Sequence, residues 1–178
     1  MTSSVSAAAS ALIALAAALT FIRRPPNSAM SWSAVACVVP SVLLSILLFR
    51  LSPAPATWPW ALRASFIGSA AGAFGSLLWL GRSFGVVPAA RWVVSAGPYR
   101  IIRHPAYLGE MGMMTSCAVA ACVTTTQAGQ LLLCLGALAG TFTGVVWRIR
   151  VEERTLATLP TWRAYTTSTK YRLIPGLW

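Results

Sequence analysis

Side chains that could do chemistry are concentrated in two short segments in the second half of this 178-residue chain. The first segment, RIIRHPAYLGE at residues 100–110, contains the single histidine, His104, together with Glu110. The second, RIRVEERTL at residues 148–156, places Arg148 and Glu152 four residues apart, on one face of a helix. An acidic and a basic group so close together can bind ions of either sign, but their spacing alone does not indicate a reaction.

These residues also have simpler interpretations. His104 is not expected to bind a metal ion, because the chain has no second histidine and no carboxylate at ligand spacing. We expect it to cap a helix or to be a hydrogen-bonded histidine at the membrane interface. Arg148, Glu152 and Glu153 form either a solvated helix face just outside the bilayer or part of a site, and their spacing leaves both interpretations open. Inserting an ionisable side chain into the middle of a bilayer costs roughly 2.5 to 3.5 kcal/mol, so such side chains usually pair with one another or belong to a functional site.

Long apolar segments surround these residues and predict an all-α integral membrane protein. Hydrophobic residues make up 57% of the chain, and runs of about 20 apolar residues are typical of helices that cross a bilayer. There are five such runs, at residues 5–22, 30–49, 60–80, 106–126 and 130–147. The first run has no positive segment before it, so we interpret it as a retained helix and not as a signal peptide. The four cysteines lie inside apolar runs without a CxxC pair, which favours small buried side chains.

The net charge of +11 is attributed to the membrane and not to nucleic acid, because the basic residues lie beside the apolar runs. Basic residues cluster after the first, third and fifth runs, whereas only Arg50 and Arg63 flank the second gap and none lies in the fourth. By the positive-inside rule, this pattern places the N-terminus outside and the C-terminus in the cytoplasm. Abundant arginine and alanine with a single lysine favour a bacterial plasma membrane.

The elements that must position the chemical residues are predicted to form one membrane domain with two parts. Residues 1–80 are rich in Ala, Gly and Ser, which let helices approach closely, and are interpreted as a scaffold. Residues 81–178 are predicted to build a cytoplasmic pocket. The connector at residues 80–105 is too apolar for disorder, so we expect an extended piece at RWVVS and a turn at AGPY. Pro105 suits the first turn of the fourth helix, which places His104 at its start and Tyr107 on the same face.

The fifth run is expected to continue as a helix into the cytoplasm, because no helix breaker precedes Pro160. After it, the tail WRAYTTSTKYRLIPGLW alternates aromatic and cationic side chains. This mixture is typical of a membrane headgroup interface. We therefore expect Trp162, Tyr165, Tyr171 and Trp178 to anchor the tail to the membrane.

Two motifs in order, GPYRIIRHPAYLGE and RIRVEERTLATLPTWRAYTTSTKYRLIPGLW, closely resemble the isoprenylcysteine carboxyl methyltransferase family. The shared elements are a GxY turn, RHPxYxG at a helix start, RxxxEExxL, a WxxY step and a closing RxIP. The resemblance covers residues 80–178, and the chain is shorter than the eukaryotic members. It implies a prokaryotic membrane enzyme that transfers a methyl group from S-adenosyl-L-methionine to a lipophilic acceptor taken from the bilayer.

The resemblance also implies roles for individual residues. The expected catalytic residues are Arg148, on the substrate side, Glu152, on the cofactor, and Arg172, the closing arginine of the motif. An acceptor carboxylate is already ionised at neutral pH and needs no general base. The residues expected to contact S-adenosyl-L-methionine are Arg91, Trp92, Val93, Val94, Tyr99, His104, Pro105, Ala106, Tyr107 and Glu152.

Alternatives remain at this level. The acceptor is the carboxylate of an isoprenylcysteine-like molecule, a phospholipid amine or a small thiol, and the last two need a base, for which His104 is the candidate. A second enzyme class is the sterol-reductase-like membrane proteins, which use a reduced nicotinamide cofactor. A transporter or interaction protein is a third possibility, but it predicts charges distributed along a pore, whereas those of this chain cluster at one membrane face.

Overall fold

The computed structural model describes residues 4–22, 32–85 and 92–178, and this part of the chain is helical, without strands. Five long helices are α1 (Ser4–Ile22), α2 (Trp32–Leu51), α3 (Trp60–Leu80), α4 (Pro105–Thr124) and α5 (Ala128–Leu156). A short helix, α6 (Pro160–Ser168), follows α5. Single 3-10 turns lie at Pro55–Thr57, Gly81–Ser83 and Gly97–Arg100. The predicted all-α fold is therefore confirmed.

Helix α3 packs along α4, and α2 packs along α5. Both pairs approach closely at glycines. A Cβ atom on Gly109 of α4 would lie 2.6 Å from the carbonyl oxygen of Ser69 in α3, and one on Gly144 of α5 would lie 2.7 Å from the Cβ of Ser41 in α2. Small residues thus let these helices approach closely, as they do in membrane bundles.

The main hydrophobic core lies between α1, α3 and α4, with residues of α2 and α5 at its edge. Phe66 is fully buried at its centre, where the Trp58 ring meets it edge-on with the ring centroids 5.8 Å apart. Cys117 and Cys134 are buried in the same core with free thiols. The interpretation of these cysteines as small buried side chains is consistent with this packing.

Three of the described helical segments are long and apolar enough to cross a membrane: Trp60–Ser83, Pro105–Thr124 and Ala128–Leu156. Two shorter apolar helical segments, Ser4–Leu19 and Ala36–Leu51, lie where the first and second spans were predicted. These helices are consistent with a helical membrane protein.

The connector and the fifth helix follow the predicted outline with two differences. Residues 92–95 of RWVVS have no regular secondary structure, Arg91 lies outside the described residues, and AGPY leads into a 3-10 turn. Helix α4 begins at Pro105, as predicted. Helix α5 continues past the end of its apolar run, as predicted. It ends at Leu156, before the helix breaker Pro160, and Pro160 begins α6.

The prediction that all four tail aromatics anchor the protein to the membrane is wrong for two of them. Trp162 and Tyr165 are 8% and 6% exposed and belong to the protein interior. The tail folds back over the start of α4, because the backbone N–H groups of Arg103 and His104 donate to the carbonyls of Tyr171 and Arg172. These aromatics therefore build a pocket wall.

Candidate functional site

Two adjoining cavities lie where the connector, the start of α4, the end of α5 and α6 meet. The smaller cavity encloses about 560 Å³, part of it open to solvent, and has mixed polar and aromatic walls. It is lined by Leu80, Ser83, Gly85, Trp92, Val93, Val94, Tyr99, Arg103, His104, Glu152, Leu156, Trp162 and Tyr165.

The larger cavity encloses about 1400 Å³ and extends from the same place between α1, α2, α3 and α4. Its far part is apolar, with Leu12, Ile13, Val42, Ala73, Leu77 and Met113 among the residues that line it. Its near end is polar and contains Tyr107, Glu110, Arg148 and Glu152. A long apolar molecule with one polar end matches this distribution.

Six residues line both cavities: Leu80, Gly85, Tyr99, Arg103, His104 and Glu152. Molecules bound in the two cavities would therefore be separated by no more than these side chains. Glu152 is the acidic residue among the six, and its carboxylate has few hydrogen-bond partners. It accepts a 2.9 Å hydrogen bond from the Tyr107 hydroxyl, lies 3.9 Å from His104 Nδ1 and is 29% exposed.

Glu153, the next residue, is held on several sides. Arg103 Nη1 donates to its Oε1 at 3.1 Å, Arg172 donates from Nε and Nη2 to its Oε2 at 2.8 Å each, and His104 Nε2 lies 3.4 Å from Oε1. Its side chain is 12% exposed. Such charge-assisted bonds are among the stronger interactions of proteins. Glu153 therefore fixes the tail, through Arg172, to the start of α4.

His104 is a satisfied buried histidine and not a helix cap. It occupies the N-cap position of α4, but its side chain makes no capping hydrogen bond, so that alternative was wrong. The side chain is 5% exposed and lies between Glu152 and Glu153, with its ring centroid 5.7 Å from that of Tyr107. Its position allows it to orient both carboxylates.

Arg148 is buried, with 8% of its surface exposed, and so is not part of a solvated helix face. Its Nη1 donates to Glu110 Oε2 at 3.1 Å and lies 3.4 Å from the Ser41 hydroxyl, and its guanidinium lies 4.7 Å from the Tyr107 ring centroid. Glu110 thus pairs with Arg148, because α4 and α5 pack with these two side chains facing each other. Arg148 Nε has no hydrogen-bond partner among the described residues.

The wall of the smaller cavity is held by hydrogen bonds between the tail and the 3-10 turn. The Tyr165 hydroxyl donates to the Tyr99 carbonyl at 2.9 Å, and Thr169 donates to the same carbonyl at 3.3 Å. Burial raises the pKa of Tyr165 to about 12, so its hydroxyl keeps its proton at neutral pH. Arg103 Nε adds a 2.7 Å bond to the Thr169 carbonyl.

Most of the residues expected at the site lie at one of the two cavities. Pro105 and Arg172 line neither, since Pro105 starts α4 and Arg172 lies on the outer side of Glu153. Arg91 lies outside the described residues. Those at the smaller cavity are Trp92, Val93, Val94, Tyr99, His104 and Glu152, and those at the larger one are Tyr99, His104, Ala106, Tyr107, Arg148 and Glu152.

Arg103, Trp162 and Tyr165 line the smaller cavity and were not anticipated at the site. Arg103 directly precedes His104, and Glu153, for which the sequence left a role in the site open, directly follows Glu152. The available signal was that buried carboxylates need partners and that the chain has only three acidic residues. Each of these acidic side chains, Glu110, Glu152 and Glu153, accepts a hydrogen bond from at least one nearby donor.

No protein-family model matches the chain, and no curated protein is significantly similar to it. Among residues 4–22, 32–85 and 92–178, no cluster of three or more His, Cys, Asp or Glu side chains could hold a metal ion.

Proposed function

We propose that this protein is an S-adenosyl-L-methionine-dependent methyltransferase of the membrane, acting on the carboxylate of an isoprenylcysteine-like acceptor. The observation that carries the proposal is the pair of adjoining cavities that share His104 and Glu152. One cavity has polar and aromatic walls, and the other is a long apolar cavity with an arginine at its polar end. Two unlike molecules, one polar and one lipophilic, can be held side by side there.

The smaller cavity fits the chemistry of the cofactor. Small-molecule sites usually combine aromatic walls with a few polar groups, and this cavity has both. The aromatic rings of Trp92, Tyr99 and Trp162 offer faces for a planar base and for a cation. S-adenosyl-L-methionine carries an ammonium and a sulfonium, and Glu152 is the partly exposed carboxylate that can pair with them.

The larger cavity fits an acceptor with a lipophilic tail and an anionic end. The apolar residues of α1, α2 and α3 would cover the tail, and Arg148 would hold the anion. Arg148 lines the polar end of this cavity, where a ligand carboxylate could accept hydrogen bonds from its guanidinium. A guanidinium binds a carboxylate through two parallel bonds, which also fixes its orientation.

The chain's part in the reaction is then to bring two groups together in a site shielded from water. The bound cofactor supplies a methyl group activated by its sulfonium. Arg148 positions the acceptor oxygen, while Glu152, held by Tyr107, positions the methyl donor. Fixing both reactants in this way can lower the barrier by roughly 7 to 11 kcal/mol. His104 then has no proton to remove, which agrees with its place between two carboxylates.

The proposed setting is a multi-pass bacterial membrane protein with five spans and a cytoplasmic site. Five apolar helices, three of them of full spanning length, support it. The clustering of the charged groups where α4 begins and α5 ends supports a site at one membrane face. Reporter fusions after residues 55 and 178 test this topology: we expect the first outside and the second inside the cell, and the reverse result would contradict it.

Ligand titration tests the cofactor. Purified protein is titrated by calorimetry with S-adenosyl-L-methionine and, separately, with reduced nicotinamide cofactor. We expect saturable heat with the first only. Binding of the nicotinamide cofactor alone would favour the reductase-like alternative, and an absence of binding to S-adenosyl-L-methionine would refute the proposal.

A labelled-methyl assay tests the acceptor. An S-prenylated cysteine with a free carboxylate is compared with its methyl ester, which matches it in every part except the reacting group. We expect label on the free acid only, released as methanol by mild base as an ester requires. Base-stable label from membrane lipid extracts would instead indicate a phospholipid amine, and base-stable label on a small thiol would indicate a thioether product.

A further inference from the structure

We propose that the C-terminal end of α5 binds an anionic phospholipid, with its phosphate on Arg150 and Arg154 and an acyl chain in a groove between α4 and α5. Neither arginine lines the two cavities described above, so this is a separate site. The inference depends on the membrane location of the helices and not on methyl transfer.

The length of α5 places these arginines at the level of lipid phosphates. The helix has 29 residues, whereas about 20 suffice to cross the hydrocarbon core. Twenty residues from Ala128 end at Trp147, which is 45% exposed, and tryptophan is enriched at membrane interfaces. Arg150 and Arg154 follow about one and two turns further on, on the same side of the helix.

An apolar groove runs along the same side of α5. It encloses about 700 Å³ and is lined by Met111 of α4 and by Phe142, Thr143, Val146, Trp147 and Arg150 of α5. Arg150 also lines a pocket beyond the groove that contains Arg154 and the outer face of Glu153. An apolar groove and a basic pocket thus meet at one arginine, which suits a ligand with a hydrocarbon chain and a negative head.

The basic pocket has an excess of positive charge. Arg103, Arg150, Arg154 and Arg172 line it with one acidic residue, Glu153, which already binds Arg103 and Arg172. The chain has two other acidic side chains, and both lie at the larger cavity. In the part of the chain that the structure describes, Arg150 and Arg154 therefore have no carboxylate partner, and both are exposed.

These features favour a phospholipid over other anions. A second copy of the chain is a poor source of the negative charge, because two of its acidic side chains, Glu110 and Glu152, lie at the larger cavity and the third, Glu153, already binds two arginines. A free phosphate ion would satisfy the arginines but would leave Phe142, Val146 and Trp147 uncovered. A phospholipid with net negative charge fits better than a zwitterionic one, whose headgroup cation the arginines would repel.

Fluorescence quenching in vesicles tests the site. Protein is reconstituted in phosphatidylcholine that contains an equal small fraction of brominated phosphatidylglycerol or of brominated phosphatidylcholine. We expect stronger quenching by the brominated phosphatidylglycerol, and Trp147→Phe should remove this difference because Trp147 lies in the groove. The double variant Arg150→Gln, Arg154→Gln should lower the preference by about fivefold for each arginine lost.

Arg163→Gln is the matched control, because Arg163 is an exposed arginine on neighbouring α6 that does not line the basic pocket. We expect it to keep most of the preference. Equal quenching by the two lipids, an equal loss in Arg163→Gln, or displacement of the lipid by inorganic phosphate would overturn the proposal. Circular dichroism and thermal unfolding of each variant show that it is folded, which keeps this outcome separate from that of the proposed function.

Discussion

Glu152 and Arg148 lie one helical turn apart, yet removing each should affect a different ligand. Glu152 lines both cavities, whereas Arg148 lines only the larger one. We therefore expect Glu152→Gln to weaken the binding of S-adenosyl-L-methionine. Arg148→Gln should leave that affinity largely unchanged and abolish methyl transfer.

The size of the Glu152 effect follows from its surroundings. A hydrogen bond to a charged group contributes about 1.5 to 3 kcal/mol, which corresponds to roughly 10- to 150-fold in dissociation constant. Because 29% of the Glu152 side chain is exposed, water screens part of the attraction. We expect the lower end, about tenfold. Tyr107→Phe keeps the carboxylate but removes its 2.9 Å hydrogen bond, so it should weaken binding by less.

Calorimetric titration of the purified variants measures these affinities. Glu110→Gln is the matched control, because it neutralises a glutamate that lines the larger cavity alone. Its affinity for S-adenosyl-L-methionine should equal that of the unmodified protein. An equal loss in the Arg148 and Glu152 variants, or no loss in Glu152→Gln, would refute the assignment of the two cavities.

Three further changes test the framework around the site. Glu153→Gln should destabilise the protein by roughly 3 kcal/mol, because it leaves the buried charge of Arg103 without its partner. Thermal unfolding in detergent measures this change, and a midpoint equal to that of the unmodified protein would contradict it. Gly109→Ala should cost about 1 to 3 kcal/mol through overpacking between α3 and α4, whereas the control Gly136→Ala enters open space and should not destabilise. Gly97→Ala should weaken cofactor binding, because Gly97 has a φ of +58° and a Cβ there would lie 2.5 Å from the Trp79 ring. Circular dichroism should show an unchanged helix content. Unchanged affinity would show that the turn does not shape the pocket.

The helices were predictable from the sequence because their causes are local. An apolar run of about 20 residues forms a helix almost independently of the rest of a membrane protein. Pro105 marks the start of α4, since a proline suits the first turn of a helix, where its missing N–H has no partner to lose. The end of α5 at Leu156 was less predictable, because no glycine or proline marks it.

The pairing of charges was not predictable, because it depends on how helices are rotated against each other. Glu110 and Arg148 are 38 residues apart in sequence, and only the packing of α4 on α5 brings them together. The packing of the tail against the start of α4 was not predictable for another reason. Arg103 and Tyr171 are joined by a backbone hydrogen bond, which leaves no mark on residue type. The prediction that Trp162 anchors the tail was wrong because tryptophan suits a membrane interface and a pocket wall equally well.

The adjacent glutamates of the RVEER segment illustrate how one helix can separate holding from binding. Successive residues of a helix point about 100° apart, so Glu153 turns to the tail and Glu152 to the cavities. Glu153 has its oxygens occupied by two arginines and a histidine, and another cation would have to displace one of them. Glu152 has a tyrosine donor and partial exposure, so it can accept a ligand cation. Because His104 lies against both, loss of Glu153 should also disturb ligand binding at Glu152.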